Sequence, residues 1–154
     1  MSNTDERETL REYMTGALGR VIAALDARDA LDDVSRAHGA YADRDAWEDL
    51  GESERELLSD LGVEPDEFGE WSVDDAESLI LEGLDPLAYT WERGKPFDVA
   101  LTIGGPNIYL VDFGGHGGAQ LRGAWGSGWE TITGPDVTRA TDYYREEFAE
   151  LFGE

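Results

Sequence analysis

The sequence predicts an α+β fold, with an acidic helical region over residues 1–92 followed by a four-stranded antiparallel sheet and a C-terminal helix over residues 93–154. Three observations carry that expectation. Apolar residues recur every three or four positions as far as Ile80, and every second position from Phe97 onward. Net charge steps from −19 over residues 1–92, which hold 26 acids and 7 arginines, to −4 over residues 93–154. Nine glycines crowd between Gly104 and Gly128, as a chain turning between short strands requires. Composition is compatible with two domains at that step or with one shared core.

Leu10, Met14, Leu18, Val21, Ile22 and Leu25 share one face of a long helix, with Asn3 and Glu6 spaced to cap it. A shorter helix is expected over Val34–Tyr41. Ala46, Trp47 and Leu50 mark another turn or two before Gly51. Ser53 and Glu56 make a capping-box pattern ahead of Leu57, Leu58 and Leu61, and Gly62 is placed to end that helix. Ser72 and Asp75 repeat the signal before Ala76, Leu79 and Ile80, with Gly83 and Pro86 as stops. The region thus holds four or five helices.

In the second region Phe97, Val99, Leu101 and Ile103 alternate with Asp98, Ala100 and Thr102, the pattern of a half-buried strand. Ile108–Phe113 is apolar on both faces, with Ile108 and Leu110 opposite Tyr109, Val111 and Phe113, which places it centrally. Ala119–Trp125 and Trp129–Thr133 supply two more strands, and the short connections make a meander. Asp136 opens a last helix whose stripe is Val137, Ala140, Tyr144, Phe148 and Leu151, ended by Gly153.

Charge excludes whole classes of function. With 35 acids against 12 bases the formal charge is −23, which repels phosphate, so neither direct nucleic-acid binding nor attachment to an anionic membrane is expected. No cysteine is present, so thiol catalysis, disulfides and zinc–thiolate sites are excluded. Eleven of the twelve bases are arginine, Lys95 being the exception. A carboxylate-dense surface with so little lysine fits a salt-accumulating cell, where screening shrinks to about 3 Å at 1 M salt. The expected setting is the cytoplasm of a haloarchaeon, or a virus or plasmid living in one. Met1–Glu12 is polar and acidic and shows no targeting pattern, and the apolar runs are too short for a membrane span.

The glycine-rich loop Gly114–Gly118 holds His116, an acid–base group near neutral pH, with Asp112 four residues before it. Trp125 and Trp129 bracket Gly126-Ser127-Gly128. Asp112, His116, Trp125 and Trp129 are therefore the candidates for a small-molecule or enzyme site. The phosphate-loop signature is absent, and the dinucleotide fingerprint fails because Gln120 occupies the third glycine position. Ser127 lacks the nucleophile-elbow context because Trp125 stands where a glycine belongs. No segment has calcium-loop spacing, and adjacent acids such as Asp32-Asp33 and Asp74-Asp75 point to different sides of a helix. No metal and no cofactor is expected.

Leu101-Thr102-Ile103-Gly104-Gly105-Pro106-Asn107, followed by Leu121, Trp125-Gly126 and Trp129, resembles small uncharacterised proteins of phages, plasmids and other mobile elements. Those proteins combine a strand ending in Thr-Gly-Gly-Pro with a later strand ending in Trp-Gly. The resemblance covers residues 86–133, with Thr-Ile-Gly-Gly-Pro in place of the compact form and Ala124 where an acid often precedes the tryptophan. It implies a mobile-element context and no particular chemistry.

The leading expectation is non-enzymatic binding of another protein, in its sharpest form inhibition of a nucleic-acid-processing enzyme by an acidic surface. Asp32, Asp33, Asp43, Asp45, Glu48 and Asp49 are the candidate contact residues. A ligand site around His116, or a structural subunit of an assembly, are the alternatives.

Overall fold

The computed structural model describes residues 3–92, 95–103, 105–113 and 118–152. His116, the other residues of the 114–117 loop and Gly153 lie outside them, as do the side chains of the expected Asn3–Glu6 cap. The elements run α1 (Asn3–His38), β1 (Tyr41–Ala42), α2 (Arg44–Asp49), α3 (Glu52–Asp60), β2 (Trp71–Ser72), α4 (Val73–Leu84), β3 (Ala88–Thr90), β4 (Phe97–Thr102), β5 (Asn107–Asp112), β6 (Ala119–Trp125), β7 (Gly128–Ile132) and α5 (Pro135–Phe152). They form two compact units, Met1–Ile22 with Pro86–Glu154, and Ala23–Asp85. Packing therefore changes at residues 22/23 and 85/86, whereas composition changes near Arg93.

In the unit 23–85, α1 runs on through the stretch where a second helix was expected to start afresh. Asp26–Asp33 contains no glycine or proline, and Ala27, Arg28, Ala30 and Leu31 are good helix formers, so nothing breaks the helix before Gly39, whose φ is +76°. Asp43 caps α2 by accepting from the Ala46 amide at 2.9 Å. Ser72 caps α4 in the expected way, accepting from the Asp75 amide at 3.1 Å. The expected Ser53 cap is corrected: α3 starts at Glu52, with Gly51 in the cap position and no side-chain cap bond. Glu52 and Glu54 instead place negative charge beside the first-turn amides.

β1 and β2 pair antiparallel, Tyr41 with Ser72 and Ala42 with Trp71. The Trp71 indole N–H donates to the Asp43 carbonyl at 2.8 Å, and its ring meets Trp47 edge-on at 5.3 Å. Leu25, Leu31, Leu58, Val73, Ala76, Ile80 and Leu84 complete this core.

The other unit is an antiparallel sheet in the order β3-β4-β5-β6-β7. It has five strands where four were expected. β3 escaped prediction because it is three exposed residues long, pairing Tyr89 with Val99 only once β4 is in place. β5 is central as anticipated, with Ile108, Leu110 and Asp112 buried on one face.

That face carries Phe97, Val99, Leu121 and Gly123, and it packs against Leu10 and Met14 of α1 and Phe148 of α5. The opposite face presents Asp98, Tyr109, Val111, Gln120, Arg122, Ala124 and Trp129. Regular alternation along β4 ends at Leu101, an extra residue between the pairs Ala100–Tyr109 and Thr102–Ile108. The slip leaves Ile103 exposed instead of beside Val99. In α5, Val137, Ala140, Tyr144 and Phe148 are buried as expected, whereas Leu151 is exposed. Thr141, also buried, satisfies its hydroxyl by donating to the Val137 carbonyl at 2.6 Å.

Candidate functional site

Residues 23–85 hold 21 acids and 4 arginines, a net of −17 out of the chain's −23. The six candidate acids fall within this unit, and all six are exposed. Asp32 and Asp33 stand on α1, while Asp43, Asp45, Glu48 and Asp49 follow β1 and run along α2. Asp33 makes an i,i+3 contact of 4.0 Å with Arg36, both side chains largely in solvent, so the pair neutralises little.

The helix ends sharpen the pattern. Asp45 sits in the first turn of α2, where negative charge is favourable. Glu48 and Asp49 occupy its last turn, which holds no basic residue and where the helix dipole does not favour negative charge. Local stability does not select these two acids.

The crowding bears on Glu77 of α4. Its carboxyl is pushed above its ordinary value, first by burial and then by the nearby charges of Asp32 and Asp74. The proximity of Asp32 to Glu77 joins α1 and α4 into one negative surface, a relation 45 positions apart that no local pattern announces. In the folded chain Glu77 holds its proton to higher pH than in the unfolded one. Its ionised form therefore subtracts stability at neutral pH, and the subtraction vanishes once acid protonates it in both states. Glu77→Gln should raise stability by about 0.5 kcal/mol at pH 7, a value typical of one relieved like-charge contact. Thermal melts of the two proteins at pH 7 and below pH 4 check this, the gain being present only in the first.

The residues of the alternative ligand site are spread out. Asp112 ends β5 and is 2% exposed. Its carboxylate is held by Arg145 of α5, whose Nε donates at 2.7 Å and whose Nη2 makes a second, shorter contact. Arg145 Nη1 also donates to Asp142 at 2.7 Å. Asp112 pairs with Ala119, and Trp125 lies six residues further along β6, about 20 Å away at normal strand rise. Trp125 faces α1 and meets Tyr13 edge-on at 5.4 Å, while Trp129 pairs with Ala124 on the opposite sheet face. The two tryptophans are 45% and 71% exposed and flank one hairpin from its two sides. Asp112, Trp125 and Trp129 thus do not converge, and His116 lies outside the described residues. The pairing of Asp112 with Arg145, 33 positions on, was not foreseen.

Among the described residues, no group of three His, Cys, Asp or Glu side chains is placed to hold a metal ion. None of the described helices is long and apolar enough to cross a membrane.

No family model matches the chain, and no curated protein or solved structure does either.

Proposed function

We propose that this chain is a non-enzymatic protein-binding protein whose unit 23–85 offers a carboxylate surface to a basic, nucleic-acid-processing enzyme. Its setting is the cytoplasm of a salt-accumulating microbe, or a virus or plasmid carried by one, in keeping with the resemblance to mobile-element proteins. The observation that carries the reading is the concentration of −17 net charge on one folded unit, with Asp32, Asp33, Asp43, Asp45, Glu48 and Asp49 all in solvent. A surface that receives phosphates is lined with Lys and Arg, and it receives exposed carboxylates by the same charge-assisted hydrogen bonds. Molar salt removes long-range attraction and leaves contact-range pairing, so binding that survives there depends on placement more than on total charge. The acids at the end of α2, which the helix dipole does not favour, fit a contact role better than a structural one.

The test replaces Asp32, Asp33, Asp45 and Asp49 by Asn, Glu48 by Gln, and Asp43 by Ser so that the α2 cap is kept. Each exposed pair contributes about 0.5 kcal/mol, so six together correspond to roughly 100-fold in affinity. The unaltered chain, immobilised in molar potassium chloride, should retain a nuclease, polymerase or other nucleic-acid-processing enzyme from a halophile lysate. The substituted chain, with unchanged circular dichroism, should not. Equal retention by both would overturn the reading.

A further inference from the structure

The loop between α3 and β2, residues 63–70, carries an apolar side chain that takes no part in the core. Phe68 is 85% exposed, more than any other large apolar residue among those described. Around it in the sequence Glu64, Asp66, Glu67 and Glu70 are also in solvent, and no Lys or Arg occurs between Arg55 and Arg93. Adaptation to salt accounts for exposed carboxylates, but it gives no reason for an exposed phenyl ring.

The backbone beneath that ring is fixed. Asp66 Oδ1 accepts from the amides of Phe68 at 2.9 Å and Glu70 at 3.0 Å. The Asp66 amide donates to the Glu70 carbonyl and the Gly69 amide to the Asp66 carbonyl, each at 2.9 Å. Val63 and Trp71 are buried at the two ends, and the Val63 amide donates to the Leu58 carbonyl at 2.8 Å. Gly69 is buried with φ +81°, and a Cβ there would lie 3.1 Å from the Cβ of Arg44. Arg44 stands between Asp43 and Asp45, and the Trp71 indole binds the Asp43 carbonyl, so the loop rests on the start of α2 and continues the surface of the six acids. An aromatic side chain presented on a fixed backbone loses little further freedom on binding, the condition for a strong anchor.

The chemistry of the loop decides what receives the ring. Surfaces that hold single-stranded or extruded nucleotides combine cations for the phosphates with an apolar or aromatic site for the base. Exposed carboxylates match only the first of these. A phenyl ring set between Glu67 and Glu70 matches both. Burial of the ring is not screened by salt, so it persists where the long-range attraction of the acids is lost.

We propose that Phe68 is the apolar anchor of the acidic surface and enters a base-binding pocket of the partner enzyme, with Glu67 and Glu70 meeting the Lys or Arg that border it. The proposal rests on the protein-binding reading and narrows the partner to enzymes that hold an unpaired base.

The test places a photoreactive ring at the tip of the loop. The whole chain carrying Phe68→p-benzoylphenylalanine is irradiated in a halophile lysate in molar potassium chloride, and the crosslinked peptides are sequenced by mass spectrometry. A crosslink is expected to a nucleic-acid-processing enzyme, at a peptide holding apolar residues beside Lys or Arg, and excess single-stranded oligothymidylate should suppress it. Affinity for that enzyme should fall roughly tenfold or more with Phe68→Ala and persist with Phe68→Trp, both with unchanged circular dichroism. The fall should not shrink as potassium chloride is raised. No crosslink from position 68, a crosslink that oligothymidylate leaves intact, or retention indifferent to Phe68→Ala would overturn the anchor and leave the acidic-surface reading to its own test. Enzyme retention by the six-fold substituted chain would instead overturn that reading, whatever Phe68→Ala does.

Discussion

Arg145→Met is expected to destabilise the unit formed by residues 1–22 and 86–154 by about 3 kcal/mol, a large effect for a change at an exposed residue. The substitution keeps the aliphatic stem but removes the cation from Asp112, leaving a carboxylate that is 2% exposed without its guanidinium. Breaking a buried pair in this way costs about 3–5 kcal/mol, and the lower end applies because the Arg145 side chain is itself 46% exposed. The reverse change, Asp112→Asn, should cost about half as much. Arg145 then keeps Asp142 and solvent as partners, and no charge is stranded. For a unit of this size the first loss is a fall in melting temperature of roughly 15 °C. Calorimetry in molar salt measures both, and an Asp112→Asn that is the more damaging of the two would show that the buried carboxylate does not depend on Arg145.

Gly123→Val should cost about as much, for a steric reason. Gly123 sits on the helix-covered face of β6, opposite Ile108. A Cβ there would come within 2.7 Å of Met14 Sδ and 2.8 Å of its Cγ, with Leu10 Cδ1 at 3.2 Å. Both α1 side chains are fully buried and cannot swing into solvent. Overpacking of this kind costs about 3 kcal/mol. The close approach of α1 to the sheet therefore depends on the missing side chain. Met14→Ala alone opens a cavity, but combined with Gly123→Val the two losses should partly cancel, giving a favourable coupling of about 1–2 kcal/mol in a double-mutant cycle. Strict additivity would mean that the two positions do not touch.

What was legible in the sequence is what local chemistry decides. The Ser72 cap and the turn at Gly62, whose φ is +92°, depend on neighbours a few positions away and were read correctly. So were β5 to β7 and the buried side of α5 as far as Phe148, though not Leu151, because a period of two or of three to four survives whatever packs against it. The Ser53 cap misled because the helix starts two residues earlier, with Gly51 in the cap position and Glu52 and Glu54 supplying negative charge to its first turn. β3 and the slip at Leu101 were not legible, since a short edge strand and a bulge exist only relative to a partner strand. At the sites the division is the same. The exposure of Asp32, Asp33, Asp43, Asp45, Glu48 and Asp49 follows from their charge. The approach of Asp32 to Glu77 and the capture of Asp112 by Arg145 are long-range pairings that no spacing encodes.

The central claim, that the unit 23–85 occupies the place of nucleic acid on a basic enzyme, is tested most directly by competition. An enzyme retained on the immobilised chain in molar potassium chloride is challenged with duplex DNA. The account predicts release, with the DNA needed for half-release rising in proportion to the amount of chain, and no release of enzyme by an uncharged polymer of the same length. An enzyme that holds DNA and the chain together, with neither weakening the other, would contradict it.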